Sequence, residues 1–425
     1  MKKGLIVALI ISCLGMISCG NKKESVNNTT VESNISYEND YSDYEDTEDT
    51  IDGLSKDKAE KICIEKVTNL TEDEKSKVDL FRKHIEDRLS WYKDNKIEKA
   101  FIEGITSNGN HRSGNDTWMS FTDTEPKAAE AEKWLVDNTN IEILDVFKSK
   151  DFAYPYTAVI KIKTPDLVST GYKYAQSKLV DKPINETFKI DEYTFIDYFK
   201  QSENKEYFEK VYMLTANSVD DKIFLQCDDY IYNAVTGNMD SFVVFDNARI
   251  SNSEPSVKQS VTDHIKETLA FMAEGNFNEA HSRNYEGIGT SSAFTKIEDE
   301  LFIDIIKYMA SKSNVEVLSL YTDKKVESHY SDENIKYISA NTVYQIEYPD
   351  FKQFILKLAL EGKSVIEIRD AVRKGIETDS IPAHKRVIKD IVKLSEDGTS
   401  AVFDGTALYT LFRSAGEINQ KYLGL

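Results

Sequence analysis

Three sequence blocks occur twice, in the same order, and this repetition constrains the fold more than any other feature of the chain. His84-Ile85-Glu86-Asp87-Arg88-Leu89, followed by Trp91-Tyr92, matches His264-Ile265-Lys266-Glu267-Thr268-Leu269, followed by Phe271-Met272. Asn140-Ile141-Glu142-Ile143-Leu144 matches Asn314-Val315-Glu316-Val317-Leu318. Val159-Ile160-Lys161-Ile162, with Pro165-Asp166-Leu167, matches Val343-Tyr344-Gln345-Ile346, with Pro349-Asp350-Phe351. The copies are displaced by 180, 174 and 184 residues. Self-similarity at a nearly fixed period points to repeated structural units. Two related domains are therefore expected, over residues 70–252 and 253–425.

Periodicity assigns elements to each unit. Phe81, Ile85, Leu89 and Tyr92 fall at helical spacing, as do Val261, Ile265, Leu269 and Met272, with mostly charged residues between them. Shorter helices follow at Asn95–Gly104 and Asn276–Tyr285, and a third pair at Pro126–Val136 and Ile297–Ser311; Gly275 is placed to break the chain before Asn276. The period then falls to two. Ile141 to Val146 reads as a strand partly buried on both faces. Tyr156–Thr164 reads as a half-buried strand with Ala158, Ile160 and Ile162 inward, and Ser339–Tyr348 repeats it with Tyr344 and Ile346 inward. Pro165 and Pro349 end these strands because proline cannot donate to a ladder. Helical stretches are expected around Tyr193–Val211 and Phe351–Lys374. Strand pairs close the units at Val211–Val219 with Lys222–Gln226, and at Arg386–Leu394 with Ser400–Asp404 across the turn Glu396-Asp397-Gly398-Thr399.

Helices grouped before antiparallel strands define an α+β class. This element order resembles the NTF2-like (cystatin-like) superfamily, in which a curved antiparallel sheet wraps a long first helix. The resemblance covers residues 70–425 as two units. It rests on order, without a signature motif, and the helices inserted after Pro165 and Pro349 depart from the minimal fold.

The amino terminus has a different character. Met1-Lys2-Lys3 gives a positive start, and Gly4 to Ile17 carries no charge. This is the layout of a secretory signal, and it is shorter than the roughly 20 apolar residues that span a bilayer. Met16-Ile17-Ser18-Cys19-Gly20 resembles a bacterial lipobox, with Met16 where leucine is usual. The resemblance implies a diacylglycerol on the Cys19 thiol and cleavage just before it, so that residues 1–18 form the signal peptide. Tandem units on such an anchor resemble lipoproteins of Gram-positive bacteria. That implies a palmitoylated lipoprotein on the extracytoplasmic face of the cell membrane. Ile10-Ile11-Ser12-Cys13 competes but leaves a very short apolar region. From Gly20 the chain turns polar, and Tyr37–Asp52 is a run of acids with interleaved tyrosines. Residues 19–69 are therefore expected to form a disordered acidic tether. About 50 flexible residues reach on the order of 40 Å.

The formal charge is −20, and loss of Lys2 and Lys3 with the signal makes the mature chain more acidic. Such a surface excludes nucleic acid as a partner, because phosphates demand basic side chains. Cys63 and Cys227 are the only cysteines of the body. Two cannot build a disulfide framework, and separate thiols are the preferred reading over a Cys63–Cys227 pair. A body of roughly 360 residues can be stable through its own core.

Catalytic signatures are absent: no phosphate loop, no GxSxG, no HExxH. His84 and His264 occupy matched positions and read as inherited residues at the edge of an apolar stripe. A site inside an NTF2-like cone would draw on Asp145, Tyr156, Tyr344 and Glu347, but nothing singles these out among 73 acids and 23 tyrosines. Asp166 and Asp350 read as helix caps. Trp91, Tyr92, Trp118, Trp134 and Phe271 read as core. Asp228-Asp229 and Glu396-Asp397 lack the ligand spacing of a calcium loop. No cofactor or metal is expected. The functional expectation is a membrane-anchored binding or scaffolding module for a small molecule, peptide or envelope partner. The alternative is an extracytoplasmic enzyme with an acid/tyrosine site in one cone.

Overall fold

A computed structural model describes residues 50–94, 136–150, 154–180, 187–189, 207–219, 222–225, 249–251, 255–284, 299–321, 337–395, 401–403 and 420–424, with a few single positions between them. The signal, Cys19, the segment up to residue 49, the helix at Asn95–Gly104, most of Pro126–Val136, Trp118, Cys227, Asp228-Asp229 and Glu396-Asp397 lie outside the described residues. Residues 48–425 form one compact unit.

The described chain opens with β1 (Thr50–Ile51) and β2 (Leu54–Ser55), joined by Asp52 and Gly53, both at positive φ. Asp-Gly suits a tight two-residue hairpin turn. After them come α1 (Lys56–Glu60) and α2 (Glu72–Lys93). The first half continues through β3 (Asn140–Lys148), β4 (Tyr156–Pro165), α3 (Leu167–Leu179), β5 (Thr187–Lys189), β6 (Tyr207–Val219), β7 (Lys222–Leu225) and β8 (Arg249–Ser251). The second half holds α4 (Pro255–Glu274), α5 (Phe277–Asn284), α6 (Glu300–Lys312), β9 (Asn314–Tyr321) and β10 (Tyr337–Pro349). It ends with α7 (Phe351–Leu360), α8 (Val365–Glu377), β11 (Ala383–Ser395), β12 (Ala401–Phe403) and α9 (Gln420–Leu423). The class is α+β. Two four-stranded antiparallel sheets run β3-β4-β6-β7 and β9-β10-β11-β12, and β5 pairs with β8.

The two four-stranded sheets share one register. Asn140 opposes Lys163 and Asn314 opposes Glu347, and each ladder continues in step to Ile143–Ile160 and Val317–Tyr344. Each then slips by one residue, at Leu144 and at Leu318. A β-bulge adds one residue to one strand and turns the next side chain to the other face. The bulge moves Asp145 to the outer face, opposite Val159, and keeps Val146 on the inner face beside Ala158.

Helix packing follows the apolar stripes. Val261, Ile265, Leu269 and Met272 of α4 are buried in the second sheet's core. Burying four such side chains is worth roughly 6–12 kcal/mol before entropy is subtracted. Phe81 and Ile85 of α2 are buried on the first sheet, with Leu89 packed at the edge. Gly275 at φ +82° stops α4: its N–H donates to Met272 O at 3.1 Å, and the Asn276 N–H donates to Phe271 O at 2.8 Å. That paired closure needs a left-handed residue, which glycine adopts without steric cost.

Four sequence expectations change. Tyr207 to Val211 belongs to strand β6, because its ladder with β4 runs from Tyr207–Pro165 to Ala216–Tyr156; earlier in the expected helical stretch the described residues Asp197, Tyr198, Lys200 and Gln201 are helical, and a further helix, Leu167–Leu179, directly follows Pro165. Phe351–Lys374 divides into two helices, because Gly362 at φ +79° ends α7 and Ser364 with Glu367 forms a capping box for α8. Strand β4 is buried on both faces, since Thr157 and Val159 point away from α2 and Val159 enters the second half's core.

The fourth change concerns residues 50–69, which lie in the expected tether but carry ordered structure. Leu54 and Ala59 are buried with Val365. Ile62 bridges to Ser364 in the second half, and Lys66 bridges to Ser149 in the first. Composition hid this strap because its few apolar residues are anchored by charge pairs and backbone bonds.

Candidate functional site

Alternate residues of β10 and β11 place polar side chains on the inner face of the second sheet. Thr342 opposes Asp390, Tyr344 opposes Ile388, Ile346 opposes Arg386 and Tyr348 opposes His384. Paired residues of an antiparallel ladder share a face. Tyr344 is fully buried and its hydroxyl donates to Asp390 Oδ2 at 3.5 Å. Tyr348 and the half-buried His384 meet edge to face, with ring centroids 5.7 Å apart. Phe208 of the first half is tilted against the same imidazole, with ring centroids 5.5 Å apart. Lys210 reaches Asp350 at 3.1 Å. Asp350 also caps α7, accepting from the Gln353 N–H at 3.1 Å.

These groups are held in single charge states. Burial foremost, with Lys210 and Arg386 and against the pull of Asp350, lowers the His384 pKa to about 3. Burial raises Tyr344 well above the usual phenol range, and Asp390 adds to the rise. Tyr348 is raised by burial and by Asp350. Burial opposes ionisation of Asp350, but Lys210, His384 and the capping bond outweigh it and hold the carboxyl below its ordinary value. A general base works best with a pKa near ambient pH. A neutral imidazole of pKa about 3, in contact with two aromatic rings, is a packing residue with a polar edge.

The first half answers this stripe differently. Its ladders put Ile160 where Tyr344 stands, Leu214 where Asp390 stands, Thr164 for Tyr348 and Phe208 for His384. The tyrosine, aspartate and histidine therefore occur in the second half only, and the first half contributes Lys210, at the position equivalent to Arg386. Of the four residues named from sequence for a catalytic cone, Tyr344 alone belongs to this constellation, and Asp350, named from sequence as a helix cap, joins it. Glu347 points to the opposite face of the sheet, opposite Asn314 and Lys385. Asp145 lies on the outer face of the first sheet and pairs with Lys66. Tyr156 is buried in the first core. The structure does not bring these four together. His84 and His264 both sit half-buried at the margin of their helix stripes. Sequence reading passed over Asp390, His384 and Lys210. A position-by-position comparison of the copies would have exposed the first two, because polarity changes at those places.

A second cluster ties the ends of the body together. Arg369, 2% exposed, donates from Nε to Asp52, from Nη2 to Asp299 at 2.9 Å, and from Nη1 to Leu423 O at 3.0 Å. Arg373 adds a second cation to Asp52 at 2.6 Å. Burial opposes ionisation of Asp52, and the two guanidinium groups outweigh it and lower its pKa. Nearby, Cys63 is a free thiol whose Sγ lies 3.6 Å from Tyr422 O; burial raises its pKa to about 11. The thiol stays protonated and unreactive at neutral pH.

Among the described residues no group of His, Cys, Asp or Glu could hold a metal ion, and no helix is long and apolar enough to cross a membrane. Comparison with protein-family models, with curated proteins and with solved structures finds no match.

Proposed function

We propose that this chain is an extracytoplasmic lipoprotein, tethered to the cell membrane by a lipid on Cys19, whose body acts as a rigid binding or scaffolding module for an envelope partner, peptide or small molecule. The observation that carries the scaffolding reading is the continuous core. Phe147 and Val159 of the first sheet are buried in the same cluster as α4, α6 and α7 of the second half. A body locked in this way presents fixed surfaces to a partner.

The enzymatic reading rests on the tyrosine–carboxylate pair of the second sheet, and the locked charge states of its neighbours weigh against it. The shared register of the two sheets, each with a helix against one face, supports tandem NTF2-like domains over 70–252 and 253–425. The tether is then Cys19 to about residue 49.

The test is metabolic labelling with a fatty acid analogue in a bacterial host, followed by fractionation. The wild-type chain incorporates label and sediments with membranes, and protease added to intact cells or spheroplasts removes it. Cys19→Ala takes up no label and appears in the soluble exported fraction. A Cys19→Ala chain that stays membrane-bound, or a wild-type chain with an intact Met1, overturns the proposal.

A further inference from the structure

The helices that follow Pro165 and Pro349 do not simply return to their own sheets. Helix α3 belongs to the first half, yet its Gln176 Nε2 donates to Glu316 Oε1 of β9 at 3.2 Å. Glu316 opposes Gln345, on the outer face of the second sheet. Tyr174 and Thr170 of the same helix are buried. Helix α7 belongs to the second half and does the reverse. The Gln353 side chain receives the Val211 N–H at 3.1 Å and donates to Val211 O at 2.9 Å. Val211 opposes Lys161 on the outer face of the first sheet, where Val159 and Met213 join the second half's core. The two helices start at equivalent positions, Leu167 and Phe351, directly after equivalent strands.

We infer that the two halves dock as separate partners through crossed post-proline helices, α3 reaching β9 of the second half and α7 reaching β6 of the first. The strands touched are not counterparts, since β9 matches β3 and β6 matches β11, so the pairing is not the strictly isologous contact in which one patch meets its own copy. The pairing surface of each half is consumed within the chain, and its partner is the other half. This does not depend on lipidation or on any ligand.

The experiment uses the full chain from residue 20, with a specific protease sequence inserted between Ser251 and Pro255 and with Gln176→Cys and Glu316→Cys. After complete cutting, the two fragments are expected to elute together from a sizing column at micromolar concentration, at the volume of the uncut chain. A short bis-maleimide then joins them into one band on a denaturing gel. Repeating the cut with Asp52→Asn and Arg373→Ala weakens the strap and leaves co-elution intact. Adding Gln353→Ala, which removes two interface hydrogen bonds, raises the fragment dissociation constant about tenfold. Separation of the fragments with the native strap, separation once the strap is weakened, or absence of the cross-link each overturns the inference.

Discussion

Replacement of Arg369 by methionine tests whether one buried guanidinium joins three distant parts of the chain. Its partners are Asp52 in the strap, Asp299 at the N-cap of α6 and the carbonyl of Leu423 in the C-terminal helix. Methionine keeps much of the volume and removes every donor. Removing one member of a buried ionic network costs about 3–5 kcal/mol, because its partners stay behind without compensation. The Asp52 side chain is 25% exposed and Asp299 20% exposed, so water recovers part of that loss. Asp299 also retains its bond from the Phe302 N–H at 2.9 Å, and Asp52 retains Arg373. The expected destabilisation is therefore about 3 kcal/mol, at the low end of that range. Equilibrium urea unfolding of the exported body reads it directly. Hydrogen exchange should show faster labelling of residues 50–60 and 420–424 in the variant than in the native chain. A loss below about 1 kcal/mol, the centre for point mutations in general, with unchanged exchange at both ends, refutes the reasoning.

Three further outcomes follow from particular residues. His384→Phe, which copies Phe208 of the first half, should flatten the acid limb of stability. The folded-state pKa is about 3, below the ordinary value of 6.5. The unfolded chain therefore takes up a proton first, and stability falls with decreasing pH between about 6.5 and 3. Parallel native and variant unfolding curves across that window would contradict the assignment. At Gly375 a Cβ would lie 2.5 Å from Ile381 Cδ1 and 3.3 Å from Phe354 Cζ. Because Ile381 Cδ1 is the far end of a flexible side chain and can move aside, Gly375→Ala should change stability by no more than about 1 kcal/mol, the gain in helix propensity offsetting the repacking, measured as a shift in the urea midpoint. Ser364→Ala removes the capping box of α8 and should cost about 1 kcal/mol, and a larger loss of helix signal by circular dichroism would show that α8 depends on more than its cap.

Much of the architecture is legible in the sequence. The α4 stripe, the break at Gly275, the strands ending at Pro165 and Pro349 and the Asp350 cap are short-range consequences of period and backbone chemistry, and a window of ten to twenty residues contains all the information they need. The candidate site was far less legible. Tyr344 could be named only as one tyrosine among many, since its partner Asp390 lies on the neighbouring strand and is set by ladder register. His384 and Lys210 come together only because the halves pack on each other.

Residue order alone therefore determined the repeat, the α+β class and the acidic composition. Tertiary structure decided that 50–69 is a strap, that β4 is buried on both faces and that α3 and α7 reach across the halves. The physical reason is range. Periodicity and turn chemistry act between neighbours along the chain, whereas the Arg369 contacts to Asp52, Asp299 and Leu423, and the Gln353 contact to Val211, join residues 54 to 317 positions apart. No local pattern encodes which distant surface a side chain will meet.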